Sequence, residues 1–298
     1  MILSTSTNIC AFTKGSLRNS IAYCIRACAQ AGYTDLDVNL CEAMNPDSAL
    51  RFDKWEAYVE SLRREAEKSG VVFSQSHLPY YDVFACQDEH KRALMEELIR
   101  RSIIATGMLG AKWAVTHPCT VYEAGQDMSV SLERNLQYYS GHLDNARACG
   151  VGIALENDFE YKTKPYQRIF CASVYELCAL TDAFSDDRHV GICYDFGHAH
   201  MTGGAHRQNL NAIGHRLRAV HVADNHGLSD EHLMPFYGTI DWEDAMTGLA
   251  DIGFEGPLTY EIQEFGRNFP NEHKHLVIEQ SQKIGQILIG YYEGAKRL

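Results

Sequence analysis

Basic charge is scarce in this chain. Its 27 Lys and Arg against 39 Asp and Glu leave a formal net charge of −12. A general nucleic-acid binder needs a basic footprint to neutralise phosphates, so that class is not expected. Long apolar runs are missing too. No stretch approaches the ~20 residues of a membrane span. The start, Met1-Ile-Leu-Ser-Thr-Ser-Thr, lacks the basic and apolar regions of a secretory signal. No low-complexity segment, linker or Pro/Gly-rich hinge divides the sequence, which reads as a single domain over 1–298. The ten cysteines contain no CxxC pair. Cys24 and Cys28 are four apart in a helical stretch, and Cys149, Cys171, Cys178 and Cys193 sit among apolar neighbours. They read as free thiols packed as small hydrophobes in a reducing cytoplasm.

What is present is regular. Hydrophobic content of 45% and charged content of 22% are those of an ordinary globular protein. Short apolar runs, expected as strands, occupy 2–7, 33–38, 71–76, 111–116, 151–156, 189–194, 217–222 and 257–262. Amphipathic stretches, expected as helices, occupy 17–31, 52–69, 88–109, 129–149, 171–183, 208–215, 241–251 and 272–293. Gly32, Gly70, Gly110, Gly150 and Gly253 stand between a helix and the next strand, where glycine accepts the left-handed conformation that stops a helix. Eight such alternations point to an α/β fold, a (β/α)8 barrel. A doubly wound open sheet is the alternative, but Thr5-Ser-Thr-Asn-Ile after the first strand has no Gly-rich phosphate fingerprint.

Four of the strand-like runs end in Glu156, Asp195, His221 and Glu261. In a parallel barrel these side chains converge at the C-terminal face, where barrels keep their active sites. Two Glu, one Asp and one His make a site for a divalent ion of the Mn, Mg, Co or Zn type. An octahedral ion would leave positions for two adjacent substrate oxygens, which suits stabilisation of an enediolate. Glu156 and Glu261 come from non-adjacent strands and could face a substrate from opposite sides. One takes a proton and the other returns one, as an isomerase or epimerase requires.

More polar residues gather at the same face. His77 and His117 end the third and fourth strands. His198 follows Asp195 by three residues, Asp224 follows His221, and Asp230 and His232 lie in the loop beyond. These six are read as substrate-binding residues or ligands of additional metal ions. Aromatic Tyr80, Tyr81, Phe84, Trp113 and Trp242 are read chiefly as packing, and Asp241 as a helix N-cap. Lys162, Lys164 and Arg168 form a small basic patch, read as a solvated loop. Tyr291 and Tyr292 are read as packing the final helix, or as part of a homo-oligomer interface.

Taken together, Ser76-His-Leu-Pro, Thr116-His-Pro, Leu155-Glu-Asn, Tyr194-Asp-Phe-Gly-His-Ala, Val220-His-Val-Ala-Asp, Asp230-Glu-His, Tyr237-Gly-Thr-Ile-Asp-Trp and Tyr260-Glu resemble the xylose isomerase-like TIM barrels. The resemblance runs along essentially the whole chain. It implies one metal on Glu156, Asp195, His221 and Glu261, the two glutamates as acid and base, and His198 on the substrate. The expected activity is a metal-dependent isomerase or epimerase of carbohydrate metabolism, acting on a sugar, sugar phosphate or related polyol.

The ketose 3-epimerases of the superfamily carry an Arg six residues after the metal-binding His, where this chain has Gly227. A lyase of the inosose or dehydroshikimate dehydratase type would share the same metal chemistry. An endonuclease IV-like phosphodiesterase with three zinc ions is the other alternative. Its nine ligands have counterparts in His77, His117, Glu156, Asp195, His198, His221, Asp230, His232 and Glu261. The gap from His221 to Asp230 is shorter than in that enzyme, and the net charge and loops lack a basic surface for DNA.

Overall fold

The computed structural model describes residues 1–12, 18–125, 127–161 and 168–297. Eight parallel strands follow the apolar runs: β1 Leu3–Ser6, β2 Asp35–Asn39, β3 Val72–His77, β4 Trp113–Thr116, β5 Gly152–Glu156, β6 Val190–Asp195, β7 Leu217–His221 and β8 Leu258–Tyr260. They are ordered β7-β6-β5-β4-β3-β2-β1-β8. A parallel bridge from Val222 to Tyr260 joins the two ends of this sheet. The Val222 N–H donates to Thr259 O at 2.8 Å and the Glu261 N–H donates to Val222 O at 3.1 Å. The result is the (β/α)8 barrel expected from the alternation, and the open sheet is excluded.

The helices among the described residues are α1 Ile21–Gln30, α2 Trp55–Ser69, α3 Glu89–Met108, α4 Met128–Ala148, α5 Val174–Ala183, α6 Phe196–Thr202, α7 His206–Ile213, α8 Trp242–Asp251 and α9 Lys274–Ala295. The five glycines before strands all have positive φ. At Gly70 the left-handed turn lets its N–H reach the Ala66 and Glu67 carbonyls that α2 leaves open. Asp241 caps α8 as expected, its carboxylate accepting the Asp244 N–H at 3.1 Å. Several helix starts shift. The first helix begins at Ile21 behind the cap Ser20, those read from 52 and 171 begin at Trp55 and Val174, and the one read as 208–215 begins at His206. The short α6 was not expected. Asp195 creates it by ending β6 and accepting the His198 N–H on Oδ1 at 2.7 Å. No helix of the described residues is long and apolar enough to cross a membrane.

Strand side chains alternate between faces. Outward-facing residues such as Leu36, Ile153, Leu155, Ile192, Tyr194 and Val220 join the main core under the helices. Inward, a small cluster of Val115, Ala154, Cys193 and Ala219 fills the barrel. Two residues further along their strands stand His117, Glu156, Asp195 and His221. Three small side chains therefore leave room beneath a layer of ligand-type groups.

Candidate metal centre

Glu156, Asp195 and His221 are fully buried and Glu261 is 8% exposed. Ligand-type atoms of these four lie within 4.8 Å of one another. Glu156 Oε1 is 2.7 Å from His221 Nδ1, and Glu261 Oε2 is 3.5 Å from the same nitrogen. The other Glu156 oxygen has no hydrogen bond, yet His77 Nε2 and His117 Nε2 each lie 3.3 Å from it. His77, His117 and Glu156 form a second group of ligand distance. Asp230 draws together a third: its Oδ2 is 2.7 Å from His232 Nε2 and 3.6 Å from His198 Nε2.

The imidazoles are held so that one nitrogen faces inward. Nδ1 of His77, His198 and His232 donates to the main-chain carbonyls of Leu78, Asn157 and Glu261, each at 2.9 Å. An anchored N–H that fixes tautomer and ring orientation is usual for a metal-binding histidine. His232 has φ +45, a conformation that a non-glycine residue adopts at some cost. Buried acceptors without partners remain on Glu156 Oε2, Asp195 Oδ2 and Asp230 Oδ1. Carboxylate oxygens orphaned in this way, among inward-facing imidazoles, fit a divalent cation.

Charge is concentrated accordingly. Burial pushes the Glu156 carboxyl up, but His221 and His117 outweigh it and hold the group well below its ordinary range. Burial raises Asp195 to about 6, with His198 opposing and the neighbouring carboxylates adding to the shift. Burial alone would depress His198 and His232. Asp195 and Asp230 reverse this for His198, and Asp230 and Glu261 carry His232 to about 9. His117, with fewer carboxylate neighbours, is pressed down to about 3 by burial.

Nine of the ten expected site residues, all but Asp224, thus meet at one barrel mouth. Asp224 does not join them. Its carboxylate turns into the loop after β7 and accepts from the N–H groups of Asn225, Phe236, Ile240 and the Trp242 indole, at 2.9, 2.9, 3.1 and 2.9 Å. It staples that loop to the start of α8, apart from the other nine. Asn157, next to Glu156, was not singled out. Its side chain pairs with the Asp195 main chain through both amide atoms, at 2.8 and 3.0 Å. The alternation Asp35-Leu-Asp37-Val-Asn39 in β2 was the sequence signal for a further inward polar row.

A cavity of about 1090 Å³ opens over the centre, bordered by His77, Tyr80, His117, His198, His232 and Glu261. Glu156 lies below it and does not border it. The Tyr80 ring stands edge-on to His117 at 5.0 Å, in the wall rather than the core. The outer wall carries Glu42, Asp47, Asp82 and Asp158, and Arg18 is the one Lys or Arg among its described residues. Of the small basic patch, Arg168 pairs with Glu160 and Glu176, while Lys162 and Lys164 lie outside the described residues. Tyr292 is buried, its hydroxyl donating to Phe254 O at 2.7 Å.

The fold and this centre define a class: the chain belongs to the xylose isomerase-like TIM barrel family, matched over residues 25–283. Within it, the chain is 31% identical over 275 residues to fructoselysine 3-epimerase of Shigella flexneri, covering 90% of this chain and 95% of that one. It is 28% identical over 164 residues to a probable endonuclease 4 of Acholeplasma laidlawii, covering 53% and 52%. Among solved structures, the IolI protein with a bound zinc atom superposes with a TM-score of 0.75 at 17% identity, covering 98% of this chain and 99% of that one.

Proposed function

We propose that this chain is a divalent-metal-dependent sugar isomerase or epimerase. The observation that carries the reading is the Glu156–Asp195–His221–Glu261 group, closed to solvent below and open to the cavity only through Glu261. The relative named fructoselysine 3-epimerase supports it. A divalent ion bound there supplies an electrophile for a substrate carbonyl or hydroxyl oxygen. Glu261, at the cavity edge, is placed to take or return a proton at the substrate carbon. Glu156 is the second member of the acid/base pair and also the hub of two ligand groups. His198, held through Nδ1, presents Nε2 toward the substrate side, and Tyr80 offers a flat apolar face to a sugar ring.

The carboxylates of the outer wall disfavour a phosphorylated sugar and favour a neutral or amine-bearing one. A panel of ketoses, ketose phosphates and fructoselysine, read by solvent-deuterium incorporation with added Mn²⁺, Co²⁺, Zn²⁺ or Mg²⁺, tests the reading. Exchange in none of them would sink it.

A second reading rests on the third group, His198, Asp230 and His232. With it, nine residues stand in three sets, the donor complement of a three-zinc phosphodiesterase. Elemental analysis separates the two: near one ion per chain supports the sugar enzyme, and near three ions with nicking of abasic DNA supports the nuclease.

A further inference from the structure

His221 is anchored unlike the histidines around it. His77, His198 and His232 each give Nδ1 to a main-chain carbonyl and turn Nε2 inward. His221 turns Nδ1 between Glu156 and Glu261, and turns Nε2 toward β2 and β3. Among the described residues no main-chain carbonyl bonds that Nε2. It faces Asp37 Oδ2 at 3.5 Å and the Gln75 amide nitrogen at 3.1 Å.

Asp37 is an unusual group for a barrel interior. It lies on β2, 1% exposed, and both its oxygens are buried without a hydrogen-bond partner. His221 is its ion-pair partner, and neither lysine nor arginine reaches it among the described residues. A buried carboxylate with no hydrogen bond is costly, so its presence calls for a compensating positive group. A metal-bound imidazole is such a group, because the ion polarises the ring and strengthens the remaining N–H as a donor.

We propose that Asp37 is a positioning residue of the metal centre: it accepts the His221 Nε2–H and so keeps Nδ1 unprotonated for the ion. The inference rests on the metal reading above. In the protein without metal, the 2.7 Å contact of His221 Nδ1 with Glu156 is a hydrogen bond in which the ring donates. With an ion held at Nδ1, the neutral ring would carry its single proton on Nε2. That position needs an acceptor. Gln75 can meet it either way, since its amide oxygen and nitrogen exchange by rotation. A carboxylate can only accept, so Asp37 selects the tautomer. Removal of such an outer partner typically weakens metal affinity 10–100-fold.

The test uses the full chain, stripped with chelator, with Zn²⁺ as the probe in competition against a chromophoric chelator. D37N and D37L should each bind Zn²⁺ roughly 10–100-fold more weakly than the wild type. Their metal-free forms should melt at or above the metal-free wild type, because a buried carboxylate without a hydrogen bond has been removed. In the zinc-loaded wild type, ¹⁵N-histidine spectra should show His221 protonated on Nε2, and this signature should be weakened or lost in D37L. Zinc affinity within threefold of wild type in both variants overturns the assignment. So does a D37N protein whose metal-free form melts clearly below the wild type, which would make Asp37 a fold residue. D37N, nearly isosteric, decides alone if D37L does not fold. A wild type that binds no zinc and no other divalent ion overturns the metal reading itself, an outcome separate from tight binding by wild type and variants alike.

Discussion

Glu156 and His221 meet at 2.7 Å, carboxylate oxygen to Nδ1, from the ends of β5 and β7 on either side of β6. The second oxygen of Glu156 stands 3.3 Å from both His77 and His117. One carboxylate is thereby shared between two ligand groups, and Glu261 alone of the two glutamates borders the cavity. The two glutamates should therefore fail differently when changed.

Glu261→Gln should lower kcat by about 10²–10⁴, the usual worth of a general acid or base, with metal still bound. Glu156→Gln should lose metal content first and turnover with it. Metal analysis beside deuterium exchange checks this. Wild-type turnover in both variants would remove the acid/base role.

Chelation should destabilise the protein. With an ion at about 100 times its Kd, binding contributes roughly 2.7 kcal/mol, so the urea midpoint should fall on stripping and return on adding metal. An unchanged midpoint would argue that no ion binds the native state selectively.

Asp224→Ala should destabilise without touching the centre. It leaves the Trp242 indole and three main-chain donors of the 225–240 loop without their acceptor. Hydrogen bonds to a charged group contribute roughly 1.5–3 kcal/mol each, so a loss of about 3 kcal/mol or more in urea unfolding is expected. Zinc affinity of the folded protein should stay within a few-fold of wild type.

Acid should weaken the fold through His206. Burial, aided by His200, presses this imidazole down to about 3, and its Nδ1 is hydrogen-bonded to the Tyr194 hydroxyl at 3.0 Å. The unfolded chain takes up the proton near pH 6.5 while the native state does not. Stability from this group is thus full above 6.5 and is lost as pH falls toward 3. Between pH 6.5 and 5.5 the loss is roughly 1 kcal/mol. His206→Asn should flatten that slope in paired urea titrations, and an unchanged slope would assign it elsewhere.

Much of the barrel was legible because its cause is local. Short apolar runs, amphipathic spacing and a glycine after each of five helices depend on near neighbours, and eight strands fall where those runs lie. Glu156, Asp195, His221 and Glu261 were legible for the same reason, since a strand's last inward residue points at the barrel mouth. The extra helix α6 was not. It depends on Asp195 capping its own strand end, a hydrogen bond that hydrophobic periodicity does not record.

Asp224 and Asp37 mark the boundary between the two kinds of information. Both are acidic residues on or just after strands, and composition treats them alike. The sequence by itself determined the barrel and the identity of its strand-end groups, because alternation and chain direction dictate both. Which carboxylate turns inward and which is consumed by a loop was decided only by tertiary structure. That choice rests on where the nearest unsatisfied donors lie: four N–H groups claim Asp224, and among the described residues His221 is the ion-pair partner of Asp37.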